Sequence, residues 1–391
     1  MQYYYRTPFF SYFLIYFNNN LGFRDSHIYV FNKSANVEFI NYKKNKISDF
    51  VISFFNNNNI YNHDFEIIGS VNEMYPLYFQ IELTDSCNLN CDYCYRDAKF
   101  NLDSNFCDVE KIKKRLLFFK DKGLREICVT GGEPTLHRNF VDFMCFLLNN
   151  FESVELITNG TNTSILSKLL KSINIINLNK LNISMSFNRW FRDINKIDDN
   201  DFYLRKTILE LKKYLPLRII CTDIDYNLDQ KDIVTKKLFE LGVKLVDFSY
   251  VSPIGRGKNK ITELTYIEKF VNNNLEDFNK KDMRINLVNC GLLLKHSSIE
   301  PNGDIRPCAL FPLNFKIGNI YDTDNFLENS FLFKIPEPNK EICGDCEFYN
   351  YCVGCIYKGL YNSKINCKYK KYVLKNYPQI LKFYDVKYND L

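Results

Sequence analysis

Three cysteines in one short loop are the residues best equipped for chemistry. The stretch reads Thr84-Asp85-Ser86-Cys87-Asn88-Leu89-Asn90-Cys91-Asp92-Tyr93-Cys94-Tyr95, a Cys-x3-Cys-x2-Cys spacing. Thiolates ligate soft metals and iron–sulfur clusters. Three from one loop suit three corners of a four-iron cube and leave the fourth iron open to an outside ligand. Zinc instead wants four ligands, usually in two separated pairs. A second set lies near the C-terminus: Cys290, Cys308, Cys343-x2-Cys346-x5-Cys352-x2-Cys355 and Cys367. Seven thiolates exceed one metal site. Five residues between the two close pairs also fall short of the roughly 12–20 that separate the knuckles of a zinc ribbon. The remaining four of the 14 cysteines have plainer expectations. Cys128, Cys145 and Cys221 read as small core residues, and Cys107 as a free loop thiol.

Composition frames this chemistry. Of 391 residues, 25% are charged and 46% hydrophobic, which excludes wholesale disorder. The net charge of +5 is too even to mark a nucleic-acid binder, and no nucleic-acid partner is expected. The aromatic excess and the asparagine runs carry no functional reading. No apolar stretch reaches the roughly 18 residues of a membrane span. The apolar segment 9–17 is followed by Asn18, Asn19 and Asn20 rather than a small-residue cleavage site. The expectation is a cytoplasmic chain without a membrane partner, in which clustered thiols are metal ligands rather than disulfides.

Residues 1–75 contain no cysteine and read as a small α+β module. Strands are expected at 27–31 and 37–40 and a short helix at 47–55. From 76 to 257 the texture is α/β. Buried strands are expected at 77–83, 126–130, 154–158, 181–187, 217–222 and 243–251. Amphipathic helices fall between them at 109–120, 140–148, 165–170, 204–214 and 233–241. Such alternation predicts a parallel sheet, either open and doubly wound or a partial barrel. Ligands then belong at the C-terminal strand ends, where the cysteine loop falls. Residues 258–288 read as a polar connector, and 289–391 as a loop-rich domain that metal would hold together.

The cysteine loop resembles that of the radical SAM enzymes, and further motifs follow in the family's order. Thr130-Gly131-Gly132-Glu133-Pro134 follows the second strand, where the family sets Gly-Gly-Glu against the methionine end of S-adenosyl-L-methionine (SAM). Thr158-Asn159-Gly160 ends the third strand. Ser184-Met185-Ser186 ends the fourth, where the family meets the SAM ribose or carboxylate. Pro253-Ile254-Gly255-Arg256-Gly257 and Tyr93 resemble the elements beside the adenine. Taken singly, the first is a turn into a helix, the second a turn, and Ser184 and Ser186 ordinary strand residues. The resemblance implies a partial (β/α)6 TIM-like barrel in which Cys87, Cys91 and Cys94 hold a [4Fe-4S] cluster chelated by SAM. An external donor of flavodoxin or ferredoxin type would drive cleavage to a 5′-deoxyadenosyl radical.

The C-terminal set resembles the SPASM domain, which binds auxiliary iron–sulfur clusters. Ile299-Glu300-Pro301-Asn302-Gly303-Asp304-Ile305-Arg306-Pro307-Cys308 and Ile317-Gly318-Asn319-Ile320 match its connecting segments. Cys352 and Cys355 depart from it, with two intervening residues where three are usual. The resemblance implies one or two auxiliary [4Fe-4S] clusters, one on Cys343, Cys346, Cys352 and Cys367 and another on Cys290, Cys308 and Cys355. His296 is either a further ligand or an ordinary loop histidine. Members of this group mostly modify peptides or proteins. Ala309 stands where the sulfatase-maturating branch has an acid/base aspartate, which argues against formylglycine formation.

The expected function is modification of a ribosomally made peptide, giving a thioether, a carbon–carbon crosslink or an epimerised residue. Residues 1–75 would either capture a leader peptide by strand addition or only cap the barrel. The alternatives are a sulfatase-maturating or cofactor-assembly enzyme and, from another class, a structural zinc- or cluster-binding interaction protein.

Overall fold

The computed structural model describes residues 3–6, 11–14, 28–31, 66–69, 76, 78–101, 104–187, 198–200, 202–223, 228–251, 254–259, 296–311 and 316–324. The N-terminal part contributes β1 (Tyr3–Arg6), β2 (Ser11–Leu14), β3 (Ile28–Phe31) and β4 (Glu66–Gly69) to one sheet of order β3-β2-β1-β4. Of the expected elements, the strand at 27–31 is present. Those at 37–40 and 47–55 lie outside the described residues.

The expected β/α alternation is realised, with most bounds within a few residues of those expected. β5 (Tyr78–Glu82), β6 (Glu126–Thr130), β7 (Ser153–Thr158), β8 (Leu181–Ser186), β9 (Leu217–Asp223) and β10 (Leu245–Tyr250) are parallel neighbours in sequence order. A doubly wound sheet reverses its strand order at a switch point. Here nothing reverses, so successive right-handed crossovers keep the helices on one side, as in a partial barrel. The intervening helices are α1 (Val109–Asp121), α2 (Phe140–Asn150), α3 (Thr163–Ser172), the short α4 (Ile175–Leu178), α5 (Tyr203–Leu211) and α6 (Leu228–Leu241).

Local sequence explains the helices. Asp108 caps α1 by accepting from the Lys111 N–H, and Asn162 caps α3 from the Ile165 N–H. Ile112, Leu116 and Phe119 recur at helical spacing on α1 and are buried, as are Phe143, Met144 and Leu147 on α2. They meet Phe79, Ile81, Ile127, Val129, Leu156, Ile183, Met185 and Ile219, the alternate residues of the strands, in one core. Strand alternation sends the other set to the concave face. There Ser184 Oγ donates to Glu155 Oε1 at 3.0 Å, and Arg218 Nε reaches Asp247 Oδ2 at 2.5 Å. The sheet is thus greasy toward its helices and polar within the barrel.

The open side of β5 takes a further strand. β11 (His296–Ile299) pairs with it in parallel, and β12 (Asp304–Arg306) and β13 (Gly318–Asn319) continue antiparallel. These short, largely polar strands are concealed by the loop-rich composition of the C-terminal region. They bring the Cys308 segment to the strand that delivers the first cysteine loop. Among the described residues, no helix is long and apolar enough to cross a membrane.

Candidate active site at the cysteine loop

The loop leaves the C-terminal end of β5 and is fastened first to the end of β6. Leu83 N–H donates to Thr130 O at 2.9 Å, Gly132 N–H to Thr84 O at 2.7 Å and Glu133 N–H to Ser86 O at 2.9 Å. This contact explains both glycines. Gly131 has φ +150°, and a Cβ there would stand 2.5 Å from Thr84 O; at Gly132 it would stand 2.1 Å from Ser86 O. The far end of the loop is held by Cys87 N–H to Lys99 O at 3.3 Å and Cys107 N–H to Leu83 O at 2.9 Å.

Cys87 is buried, Cys91 and Cys94 are half-buried, and none of the three is in a disulfide. Cys87 Sγ accepts from Leu89 N–H at 3.4 Å and lies 3.9 Å from Asn159 Nδ2. Burial pushes its pKa up to about 11. Tyr93 is buried with its hydroxyl beside Cys91. Gly255, at φ +55°, carries its loop onto the same segment, where a Cβ would stand 2.4 Å from the carbonyl oxygens of Cys94 and Tyr95. The next residue, Arg256, clasps the loop. Its backbone N–H donates to Cys94 O at 3.0 Å, its Nε to Cys91 O at 2.6 Å, its Nη1 to Asp97 at 2.8 Å and its Nη2 to Ala98 O at 2.8 Å. Arg256→Met should therefore lower iron retained after anaerobic desalting by severalfold. Lysine should rescue little, because one ammonium cannot reproduce the planar fork.

Glu133 is fully buried and is an organiser of the strand ends. Its Oε1 accepts from Thr135 N–H (3.2 Å), Thr135 Oγ1 (2.7 Å) and Thr158 Oγ1 (2.7 Å), and its Oε2 from Asn159 N–H (2.7 Å). Burial nonetheless raises its pKa against the pull of these donors. The Asn159 side chain in turn donates to Asn88 Oδ1 at 2.8 Å and accepts from Thr161. Glu133, Asn159 and Cys87 are thus linked in one chain of contacts. Ser184 is buried and bonded to Glu155 on the concave face, while Ser186 ends β8 half-buried.

His137 fastens the turn after Glu133. Its Nδ1 accepts from Asn139 N–H at 3.1 Å, which places the proton on Nε2, donating to Cys107 O at 2.9 Å. Burial lowers its pKa below 6.5. The folded state therefore prefers the neutral ring. Its stability contribution is complete above about pH 6.5 and is lost as pH falls toward the depressed value. Urea midpoints measured from about pH 7.5 down to 5 should fall more steeply for the wild type than for His137→Phe.

Of the C-terminal set, Cys308 is described: it is half-buried and in no disulfide, and its Sγ accepts from Leu310 N–H at 3.5 Å. Cys290, Cys343, Cys346, Cys352, Cys355 and Cys367 lie outside the described residues, and His296 opens β11. Cys128 and Cys221 are core residues and Cys145 packs against the core. Cys107 is a free thiol as expected, but a buried one. Sequence reasoning did not single out the clasp by Arg256, the Asn88–Asn159 bond, or the pairing of Arg96 with Glu82 and Glu300. Only Arg256 carried a signal, its place between two glycines.

The donor set fits an iron–sulfur cluster. Among the described residues no three His, Cys, Asp or Glu side chains converge tightly enough for one metal ion. A cube takes its thiolates at separate corners, which is what three thiols spread along one loop can offer.

Comparison with known proteins agrees with this geometry. Over 342 residues the chain is 27% identical to the antilisterial bacteriocin subtilosin biosynthesis protein AlbA of Bacillus subtilis, covering 78% of this chain and 73% of that one. It is 28% identical over 199 residues to a probable GTP 3′,8-cyclase of Sulfurisphaera tokodaii, of which it spans 62%. The fold resembles Streptococcus suis SuiB bound to S-adenosylmethionine, with TM-score 0.63, 14% identity and coverage of 93% of this chain and 96% of that one. SuiB bound to its precursor peptide SuiA gives TM-score 0.63, 13% identity and coverage of 94% and 98%. Residues 81–205, from within β5 into α5, match the Radical SAM superfamily, and the chain carries a radical SAM domain.

Proposed function

We propose that this enzyme cleaves SAM at the Cys87–Cys91–Cys94 loop and uses the radical to modify a ribosomally made peptide. The observation that carries the reading is that loop, bound through its backbone to Gly132 and Glu133 at the strand ends of a partial barrel. Cys87, Cys91 and Cys94 would hold a [4Fe-4S] cluster, which supplies the electron for reductive cleavage of SAM. The rest is positioning by the chain. Arg256 fixes the loop from outside, Glu133 and Asn159 fix it from the strand ends, and the polar concave face around Glu155, Arg218 and Asp247 receives the substrate. Relatives that act on peptide products support this class: subtilosin biosynthesis by AlbA, and SuiB with its precursor peptide. The likeness to the probable GTP 3′,8-cyclase covers a smaller share of the chain and gives weaker support to a reaction of that kind.

In this reading residues 1–75 are a recognition module, 76–257 the barrel, 258–288 a connector and 289–391 an auxiliary-cluster domain. The N-terminal sheet offers β3 and β4 as edges to which a leader peptide could add a strand. The enzyme would work in the cytoplasm with a flavodoxin- or ferredoxin-type donor. Anaerobic reconstitution should load on the order of 12 iron atoms per chain and yield 5′-deoxyadenosine from SAM. Cys91→Ala should abolish that product. Stoichiometric zinc without iron, or SAM cleavage surviving loss of all three cysteines, would refute the proposal. Deleting residues 1–75 should abolish capture of a precursor peptide encoded beside the gene and spare uncoupled SAM cleavage.

A further inference from the structure

Four charged side chains meet in the interior between the two cysteine segments. Glu82 ends β5, Arg96 lies two residues after Cys94, Glu300 follows β11, and Arg306 ends β12 two residues before Cys308. The Arg96 guanidinium forks onto both Glu300 oxygens, at 3.0 and 2.6 Å, and also stands 2.7 Å from Glu82 Oε2. Arg306 contacts the same two carboxylates: Glu300 through Nε, and Glu82 Oε1 through Nη2 at 3.3 Å. Its Nη1 donates to the carbonyls of Ala309 and Phe311, the turn that carries Cys308. Side-chain exposures are 0% for Glu82, 1% for Arg306, 5% for Arg96 and 10% for Glu300.

Such a ring is a poor source of net stability. Desolvating four charges consumes most of what their attraction returns, and apolar replacements often do as well. What it does supply is geometry. Each carboxylate is shared by both guanidiniums, so Arg96 cannot move without disturbing the partners of Arg306. One arginine is anchored in the chain beside Cys94. The other grips the Cys308 turn by its carbonyls.

We propose that the Glu82–Arg96–Glu300–Arg306 ring couples the two cysteine sites, so that the seating of the Cys308 turn sets the position of Cys94 in the SAM-binding loop. Arg96 and Arg306 are positioning residues in this scheme. The inference rests on the reading of Cys87, Cys91 and Cys94 as cluster ligands, and its test separates the two.

The test is a double-mutant cycle in the full-length, anaerobically reconstituted protein. SAM affinity is read from the SAM-induced change in the EPR signal of the reduced cluster, with thermal melts recorded alongside. Cys308→Ala should weaken SAM binding about tenfold although it lies in a different segment, and Glu300→Gln by a similar factor. The double variant should be no worse than the weaker single, because the link is already cut. Arg96→Lys, which keeps the charge and loses the fork, should behave as Glu300→Gln does and serves if that variant does not fold. Cys308→Ala within about twofold of wild type, or factors that multiply in the double variant, overturn the coupling. A wild type without a SAM-responsive iron signal overturns the functional reading itself, and the coupling with it.

Discussion

Replacing Gly132 by alanine is expected to leave a folded chain that holds the cysteine loop and its iron severalfold less well. The added Cβ would stand 2.1 Å from Ser86 O and 2.5 Å from Ser86 C. Both atoms are backbone, so no side chain can swing aside. The strands must separate by about 1 Å, and an overpacked contact of this kind costs roughly 1–3 kcal/mol. The bonds from Gly132 N–H to Thr84 O and from Glu133 N–H to Ser86 O lie on either side of the clash. Separation breaks them, at about 1 kcal/mol each. The total is about 3–5 kcal/mol, concentrated on the residues just before Cys87. The main core lies on the opposite face of the sheet and keeps its contacts. The urea midpoint should therefore fall while a cooperative transition remains, and iron per chain after reconstitution should drop severalfold. Unchanged iron and an unchanged midpoint would show that the close approach is not needed.

The same glycine shows where sequence reading stops. The strands and helices of the barrel were legible because alternation and helical periodicity are local, and the observed bounds mostly fall within a few residues of those expected. The choice between a doubly wound sheet and a partial barrel was not legible from the pattern alone. Strand order decides it, and order is a property of long-range pairing. Gly131-Gly132 reads locally as a turn; its cause is a backbone some 45 residues away in sequence, at Thr84 and Ser86. The charged ring is more remote still, with Arg96 and Glu300 separated by 204 positions. No spacing rule connects two such residues. β11, β12 and β13 are too short and polar to announce themselves, and they become strands because β5 offers an unpaired edge. Cys107 is the free loop thiol expected, and its burial is what the local pattern did not show. Its setting looks like a loop, yet Leu83 and His137 hold its backbone and the thiol is buried.

Glu133→Gln should cost about 1–3 kcal/mol and lower SAM cleavage by at least tenfold, although it removes only a charge and changes no volume. The carboxylate accepts four hydrogen bonds and donates none. An amide has one acceptor and one donor end. If its oxygen faces the threonines, its NH2 meets the Asn159 N–H donor to donor. If it flips, the Thr135 N–H loses its acceptor; the two threonine hydroxyls can rotate to accept, but a backbone N–H cannot. Either orientation strands one buried N–H, at about 1–3 kcal/mol. The site effect follows from the orientation the chain adopts. Where the amide oxygen turns to Asn159, the stranded donor is the Thr135 N–H. The Thr135 turn then moves, and with it the Glu133 N–H that holds Ser86 O. Glu133→Gln should thus retain iron at reduced occupancy and bind SAM more weakly, with a lower midpoint in urea. A variant with wild-type midpoint and wild-type SAM affinity would show that the buried carboxylate does not organise the loop. Loss of SAM affinity at an unchanged midpoint would instead assign Glu133 to direct contact with the methionine end of SAM.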